Sequence, residues 1–202
     1  MPLEFIRDYL SELDATIRAL PHEQIAGIIE AVRDARDRDA QVFVVGNGGS
    51  AATASHFAVD LGKGASHAGD RRFRVLSLTD NVPWISALAN DLCYEDVFVE
   101  QLKNFARPGD VLLAFSGSGN SENVLRAVRY ANSIGCRTIG LSGFAGGKLR
   151  DEAQECLVVN ADHMGRIEDG HFIVQHLVVY YLMTHPKGRD AAADATSASA
   201  DR

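Results

Sequence analysis

The stretch QVFVVGNGGSAATASHFAVDL, Gln41 to Leu61, passes from an apolar strand through a glycine turn into a helix. Val42 to Val45 is a continuous β-branched and aromatic run, the pattern of a strand covered on both faces. Gly46-Asn47-Gly48-Gly49-Ser50 follows at once. Glycines let the backbone enter conformations closed to other residues and bring its N–H groups close to a ligand. Ser50 is expected to cap the ensuing helix, whose first turn leaves donors free and whose positive end favours an anion such as phosphate. His56 and Asp60, four apart, share one face of that helix. The turn lacks the Gly-Lys-Ser/Thr ending of a Walker A loop, and its glycines do not follow the G-x-G-x-x-G dinucleotide fingerprint. A strand–glycine–helix turn also arises for packing alone, and a His/Asp pair at this spacing is commonly a surface interaction, so both readings stay open on this stretch by itself.

Working outward toward the N-terminus, Leu3, Ile6, Leu10, Leu13, Ile17 and Leu20 recur at three- and four-residue steps, an amphipathic helix that Pro21 ends. A second helix over 22–38 carries Ile25, Ile28, Ile29 and Val32 on one side. The first helix needs a surface for its apolar stripe, either its own domain or a second subunit. Toward the C-terminus, strands are predicted at Phe73 to Leu78, Asp110 to Phe115, Arg137 to Leu141 and Cys156 to Val159. Helices are predicted over 82–89, 94–105, 122–134, 147–152 and 166–183, with Pro83 near the start of its helix. This alternation predicts the α/β class, with a parallel five-stranded sheet covered on both faces. Residues 1–185 read as one domain that includes N-terminal helices over 1–38. The Ala/Asp/Ser-rich stretch 186–202 has no apolar face and reads as a disordered tail.

Composition narrows the function. A formal charge of −7 over 202 residues argues against nonspecific nucleic-acid binding, which needs a basic face. An anionic substrate must then be held locally, by backbone dipoles and a few side chains. Three cysteines (Cys93, Cys136 and Cys156) without paired spacing suggest neither a disulfide framework nor a zinc knuckle. Reduced, buried thiols in the cytoplasm are the expectation. The N-terminus MPLEFIRDYL lacks the basic start and apolar block of a signal peptide, and no apolar run is long enough to span a membrane.

A second turn, Ser116-Gly117-Ser118-Gly119-Asn120-Ser121, follows the strand DVLLAF. Ligands bind open α/β sheets outside the carboxyl ends of the strands, and hydroxyls and free amides there can take phosphate oxygens. Two such turns after two buried strands would face one crevice. GNGGS with HFAVDL, ALANDLCYE, DVLLAFSGSGNS, GGKL and the RIED…H helix together resemble the sugar isomerase (SIS) fold, and within it the phosphoheptose isomerases. The resemblance runs to about Met183. It implies a three-layer SIS-type sandwich and an aldose–ketose isomerase acting on sedoheptulose 7-phosphate for heptose synthesis. It also implies a homotetramer with active sites between subunits, and a zinc ion at each site.

Carried over by position, the resemblance implies substrate binding by Asn47, Gly48, Gly49, Asn90 and Asp91, and phosphate binding by the turn Ser116, Gly117, Ser118 and Ser121. It implies metal binding by His56 and His176, His176 serving also as acid/base. Four positions depart from the family pattern. Asp60 stands where the family has a glutamate that is both base and metal ligand, and Glu168 where it has a metal-binding glutamine. Gly165 replaces an acidic residue, and Gly117 a threonine. Isomerisation through an enediol needs a base in contact with the C–H, within about 3 Å of its proton, and an acid near the oxygen. Asp is one methylene shorter than Glu. Hence the expectation of a swap, in which Asp60 remains a metal ligand while Glu168 takes part or all of the base role. The set His56, Asp60, Glu168 and His176 suits zinc, which accepts imidazole nitrogen and carboxylate oxygen; an unmetallated hydrogen-bond network is the bland reading. His171 and Lys63 are further candidates, with a structural histidine and an exposed lysine as the plainer readings, and Arg166 reads as an ion-pair residue. The altered carboxylates leave a different class open: a non-catalytic SIS protein that binds phosphosugars, or serves as a scaffold for a replication initiator. The retained His56 and His176 favour an enzyme.

Overall fold

The computed structural model describes residues 1–66 and 71–186. Most of the tail expected over 186–202 therefore lies outside the described residues. Two antiparallel-capable amphipathic helices come first, α1 (Pro2–Arg18) and α2 (His22–Asp37), followed by β1 (Gln41–Val45) and α3 (Gly49–Val59). A single π-helical turn, Asp60–Gly64, ends α3. Then come β2 (Arg74–Ser77), α4 (Val82–Asp91), a 3₁₀ turn at Tyr94–Asp96, α5 (Val99–Phe105), β3 (Val111–Ser116) and α6 (Glu122–Ser133). The chain continues with β4 (Arg137–Gly143), α7 (Leu149–Glu152), β5 (Glu155–Val159) and α8 (Met164–Thr184).

The five strands form one parallel sheet in the order β2-β1-β3-β4-β5. The order reverses between β1 and β3, the point at which doubly wound sheets open a crevice. Both glycine turns follow these two strands. The sheet splits the core by residue parity, because successive side chains of a strand point to opposite faces. Val42, Val44, Val111, Leu113 and Phe115 pack with Ile28 and Val32 of α2, Phe57 of α3, and Val174 and Val178 of α8. Phe43, Val45, Leu112 and Ala114 pack on the other side with Leu102 of α5, Val124 and Val128 of α6, and Leu149 of α7. The three layers expected from the sequence are thus present.

Two local expectations are corrected. The helix expected over 94–105 is broken into a 3₁₀ turn and α5, with Val97 and Phe98 between them and both packed with Leu102 in the core. Ser50 does not cap α3. Gly48, at φ +54, turns the chain directly into the helix, and Ser50 is buried inside its first turn. All three cysteines are free thiols; Cys136 is buried, while Cys93 and Cys156 are half-buried. Burial pushes the Cys136 thiol up to about 11, so it remains protonated at neutral pH.

Candidate active site at the β1/β3 crevice

Both helices that open on the crevice start without a side-chain cap: Gly48 precedes α3 and Ser121 precedes α6, and neither side chain satisfies a helix donor. Val124 N donates to Asn123 Oδ1 and Ala51 N to Gly48 O, so the N–H groups left to face an anion are those of Gly49 and Ser50 in α3 and of Glu122 and Asn123 in α6. A cavity of about 260 Å³ lies between them, lined by Asn47, Gly48, Gly49, Ser50, Phe115, Ser116, Gly117, Ser118, Ser121, Met164 and Glu168. Ser116 Oγ lies 3.5 Å from Ser121 Oγ, so these two hydroxyls converge. The serine turn is braced from behind: Leu149 N donates to Gly119 O at 2.9 Å and Lys148 N to Asn120 Oδ1 at 3.1 Å.

The two turns are also tied to each other. Asn47 Nδ2 donates to Asn123 Oδ1 at 2.8 Å, and Asn123 Nδ2 donates back to Asn47 Oδ1 at 2.9 Å. Tyr94 Oη donates to the same Asn47 oxygen at 3.0 Å. Asn123, only 3% exposed, thus links the β1 turn to the first turn of α6. Neither Asn123 nor Tyr94 stands out in the sequence, since their partner is 76 and 47 residues away.

The opposite wall is α8. Met164 and Glu168, four apart, share one face of that helix, and both line the cavity. A Cβ on Gly49 would come 2.5 Å from Glu168 Oε1, so the carboxylate rests directly on the start of α3. Further along α8, His171 turns inward. It is 1% exposed and its Nε2 meets Ser142 O on β4 at 3.0 Å. Burial pulls its pKa down to about 4, which keeps it neutral and leaves Nε2 as the donor. His171 is therefore structural. Lys63 is exposed in the π-helical turn. Arg166 is paired with Glu12 of α1 and with Asp162, at 2.6 Å from the latter.

A second group of donors sits between α3 and α8. His56 Nε2 lies 2.9 Å and His176 Nε2 3.9 Å from Asp60 Oδ2. One ligand atom from each residue lies within 4.8 Å of the others, and all three residues are half-buried. Phe172 packs edge-on against both imidazoles, with centroid distances of 4.9 Å to His56 and 4.6 Å to His176. Asp60, shorter than the glutamate of the family pattern, still reaches the pair. The donor set, two imidazole nitrogens and one carboxylate oxygen, fits a zinc ion with a fourth position open. Glu168, expected as a fourth ligand, is not part of this cluster. Its carboxylate is committed to Gly49, two helical turns from His176. Asn90 and Asp91 stand exposed at the end of α4, Asn90 Nδ2 donating to Asp91 Oδ1 at 2.8 Å, and do not line the cavity of this chain.

Comparison with known proteins agrees with this geometry. Residues 4–143 match the SIS domain family. The probable phosphoheptose isomerase of Thermoplasma acidophilum is 38% identical over 172 residues, covering 85% of this chain and 94% of that protein. The phosphoheptose isomerase of Geotalea daltonii is 36% identical over 155 residues, covering 77% and 80%. Among solved structures, phosphoheptose isomerase GmhA from Neisseria gonorrhoeae superposes with a TM-score of 0.83 at 26% identity, covering 92% of this chain and all of that one. A phosphoheptose isomerase from Francisella tularensis gives 0.81 at 28% identity with the same coverage. The chain belongs to the SIS domain family and, within it, is an isomerase of the phosphoheptose isomerase family.

Proposed function

We propose that the chain interconverts sedoheptulose 7-phosphate and D-glycero-D-manno-heptose 7-phosphate through an enediol. The observation that carries this reading is the convergence of two uncapped helix starts, the serine turn and the Glu168 carboxylate on one crevice. Ser116, Ser118 and Ser121 with the first amides of α6 take the phosphate oxygens. Asn47 and the amides of Gly48 and Gly49 take sugar oxygens at the other end. Glu168 serves as the base, removing the proton from the carbon beside the carbonyl and returning it to the neighbouring carbon. His56, Asp60 and His176 would hold a zinc ion, which when bound polarises the sugar carbonyl. Asn90 and Asp91, exposed outside this chain's cavity, are assigned to the site of a neighbouring subunit in a homotetramer.

Incubation of purified protein with sedoheptulose 7-phosphate, followed by detection of the aldose 7-phosphate, tests the reaction; no product from zinc-loaded protein would overturn it. Glu168→Gln is expected to lower turnover by at least about a hundredfold, the usual scale for losing a general base. Asp60→Asn is expected to lose bound zinc as well as turnover. Full turnover in Glu168→Gln beside an inactive Asp60→Asn would return the base role to Asp60.

A further inference from the structure

Gly117 has no backbone reason to be glycine. Its φ is not among the positive values found at Gly119, Gly146 and Gly147, so any residue could adopt its conformation. What a side chain would meet is Met164: a Cβ there would lie 2.5 Å from Met164 Sδ and 3.5 Å from Met164 Cε, so the thioether would have to shift. Met164 is the first residue of α8, remains 43% exposed, and lines the same cavity as Ser116, Ser118 and Ser121. The thioether thus fills, from across the crevice, the space that a side chain at 117 would occupy.

We infer that Met164 is a substrate-contacting residue that determines specificity at the phosphate end of the crevice, its thioether standing in for the side chain that Gly117 lacks. The inference rests on the reading of the serine turn as the phosphate seat. A threonine at 117 would offer a hydroxyl to the anion. Glycine with methionine offers instead a buried turn closed by a flexible, apolar wall. Met has three rotatable bonds and a polarisable sulfur, so it can settle over the ester linkage of sugars that differ in shape. Glu168 lies one helical turn further along the same face. The two residues divide the wall into an apolar end over the phosphate and a charged end over the sugar.

The test uses the full-length, zinc-loaded protein, with isomerase kinetics and titration of inorganic phosphate. Met164→Ala is expected to raise KM for the sugar phosphate and to weaken inorganic phosphate binding by the same factor, roughly tenfold for a lost apolar contact in a pocket. The change in kcat is expected to be much smaller, a split that general destabilisation would not give. Gly117→Thr alone is expected to weaken phosphate binding through its collision with Met164. The pair Gly117→Thr/Met164→Ala is expected to recover most of the loss, because the threonine then enters the vacated space. Unchanged phosphate affinity in Met164→Ala, or a double variant no better than Gly117→Thr, overturns the role of Met164. If the unaltered protein does not bind inorganic phosphate at all, the phosphate seat itself is wrong and the inference falls with it.

Discussion

Two glycines of the crevice serve different physical ends, and substitution separates them. At Gly49 the backbone is ordinary, and the atom a methyl would meet is the far end of the Glu168 side chain, 2.5 Å away. Gly49→Ala is expected to fold with near-normal stability, since the carboxylate can swing aside. Activity is expected to fall at least about tenfold, since a displacement on the order of 1 Å in a reacting group is costly. Gly119 has φ +66, and a Cβ there would collide with the backbone carbonyl of Gly146, which cannot swing. Gly119→Ala is expected to lose at least about 1–2 kcal/mol from the left-handed backbone alone, and more from the collision. Urea unfolding of both variants beside their turnover checks the contrast; equal stability losses would refute it.

At the level of the element, α8 carries the residues proposed for the chemistry, and His171 ties it to the sheet. The Nε2–H to Ser142 O bond pins the helix to the end of β4, with Met164 and Glu168 ahead of it and His176 behind. Burial of the His171 imidazole, outweighing this bond, gives the protein a pH dependence with a definite sign. An unfolded imidazole titrates near 6.5, the folded one near 4. Between these values the unfolded chain binds a proton that the folded chain refuses, so stability falls as pH falls through this window and is flat above it. The full difference is about 3 kcal/mol. Thermal melts at pH 7 and pH 4.5 are expected to show this loss, and His171→Leu to remove most of the dependence while costing stability at pH 7. The elements themselves were largely legible in sequence. Val42 to Val45 and DVLLAF announce strands buried on both faces, and the alternation that follows implies a parallel sheet. The break before α5 was not legible, because no local breaker marks it. In the site, the serines that line the cavity and the His56/Asp60/His176 cluster stand at positions that their spacing and the family resemblance single out. Asn123, Tyr94 and Met164 do not, because each acts through a partner brought near only by folding. Glu168 was legible as a functional carboxylate but not as one separated from the metal-type cluster, a matter of where α8 lies against α3.

Across the whole molecule, the folded chain leaves apolar surface that its own core does not use. Leu3, Phe5, Ile6 and Leu10 of α1 are 49–69% exposed. A groove of about 680 Å³ between α2 and α8 is lined by Ile25, Ile29, Ile173, Leu177, Tyr180 and Tyr181, with His176 on its wall. No helix among the described residues is long and apolar enough to cross a membrane. Helix α1 is held to the body chiefly by polar links, Tyr9 Oη donating to Asp169 Oδ2 at 2.9 Å and Arg166 pairing with Glu12, which leaves its apolar stripe facing outward. Exposed apolar surface of this extent marks an association surface, and the homotetramer proposed above would cover it. Light scattering is expected to give four times 21.8 kDa, about 87 kDa. Phe5→Glu/Leu10→Glu alters the stripe without touching the crevice or the His56/Asp60/His176 cluster. If subunit contacts complete the active site, as proposed for Asn90 and Asp91, this variant dissociates and loses turnover together, while its circular dichroism remains that of a folded α/β chain. A dissociated variant with full turnover would mean that one chain's crevice suffices, and Asn90 and Asp91 would then lose their assigned role.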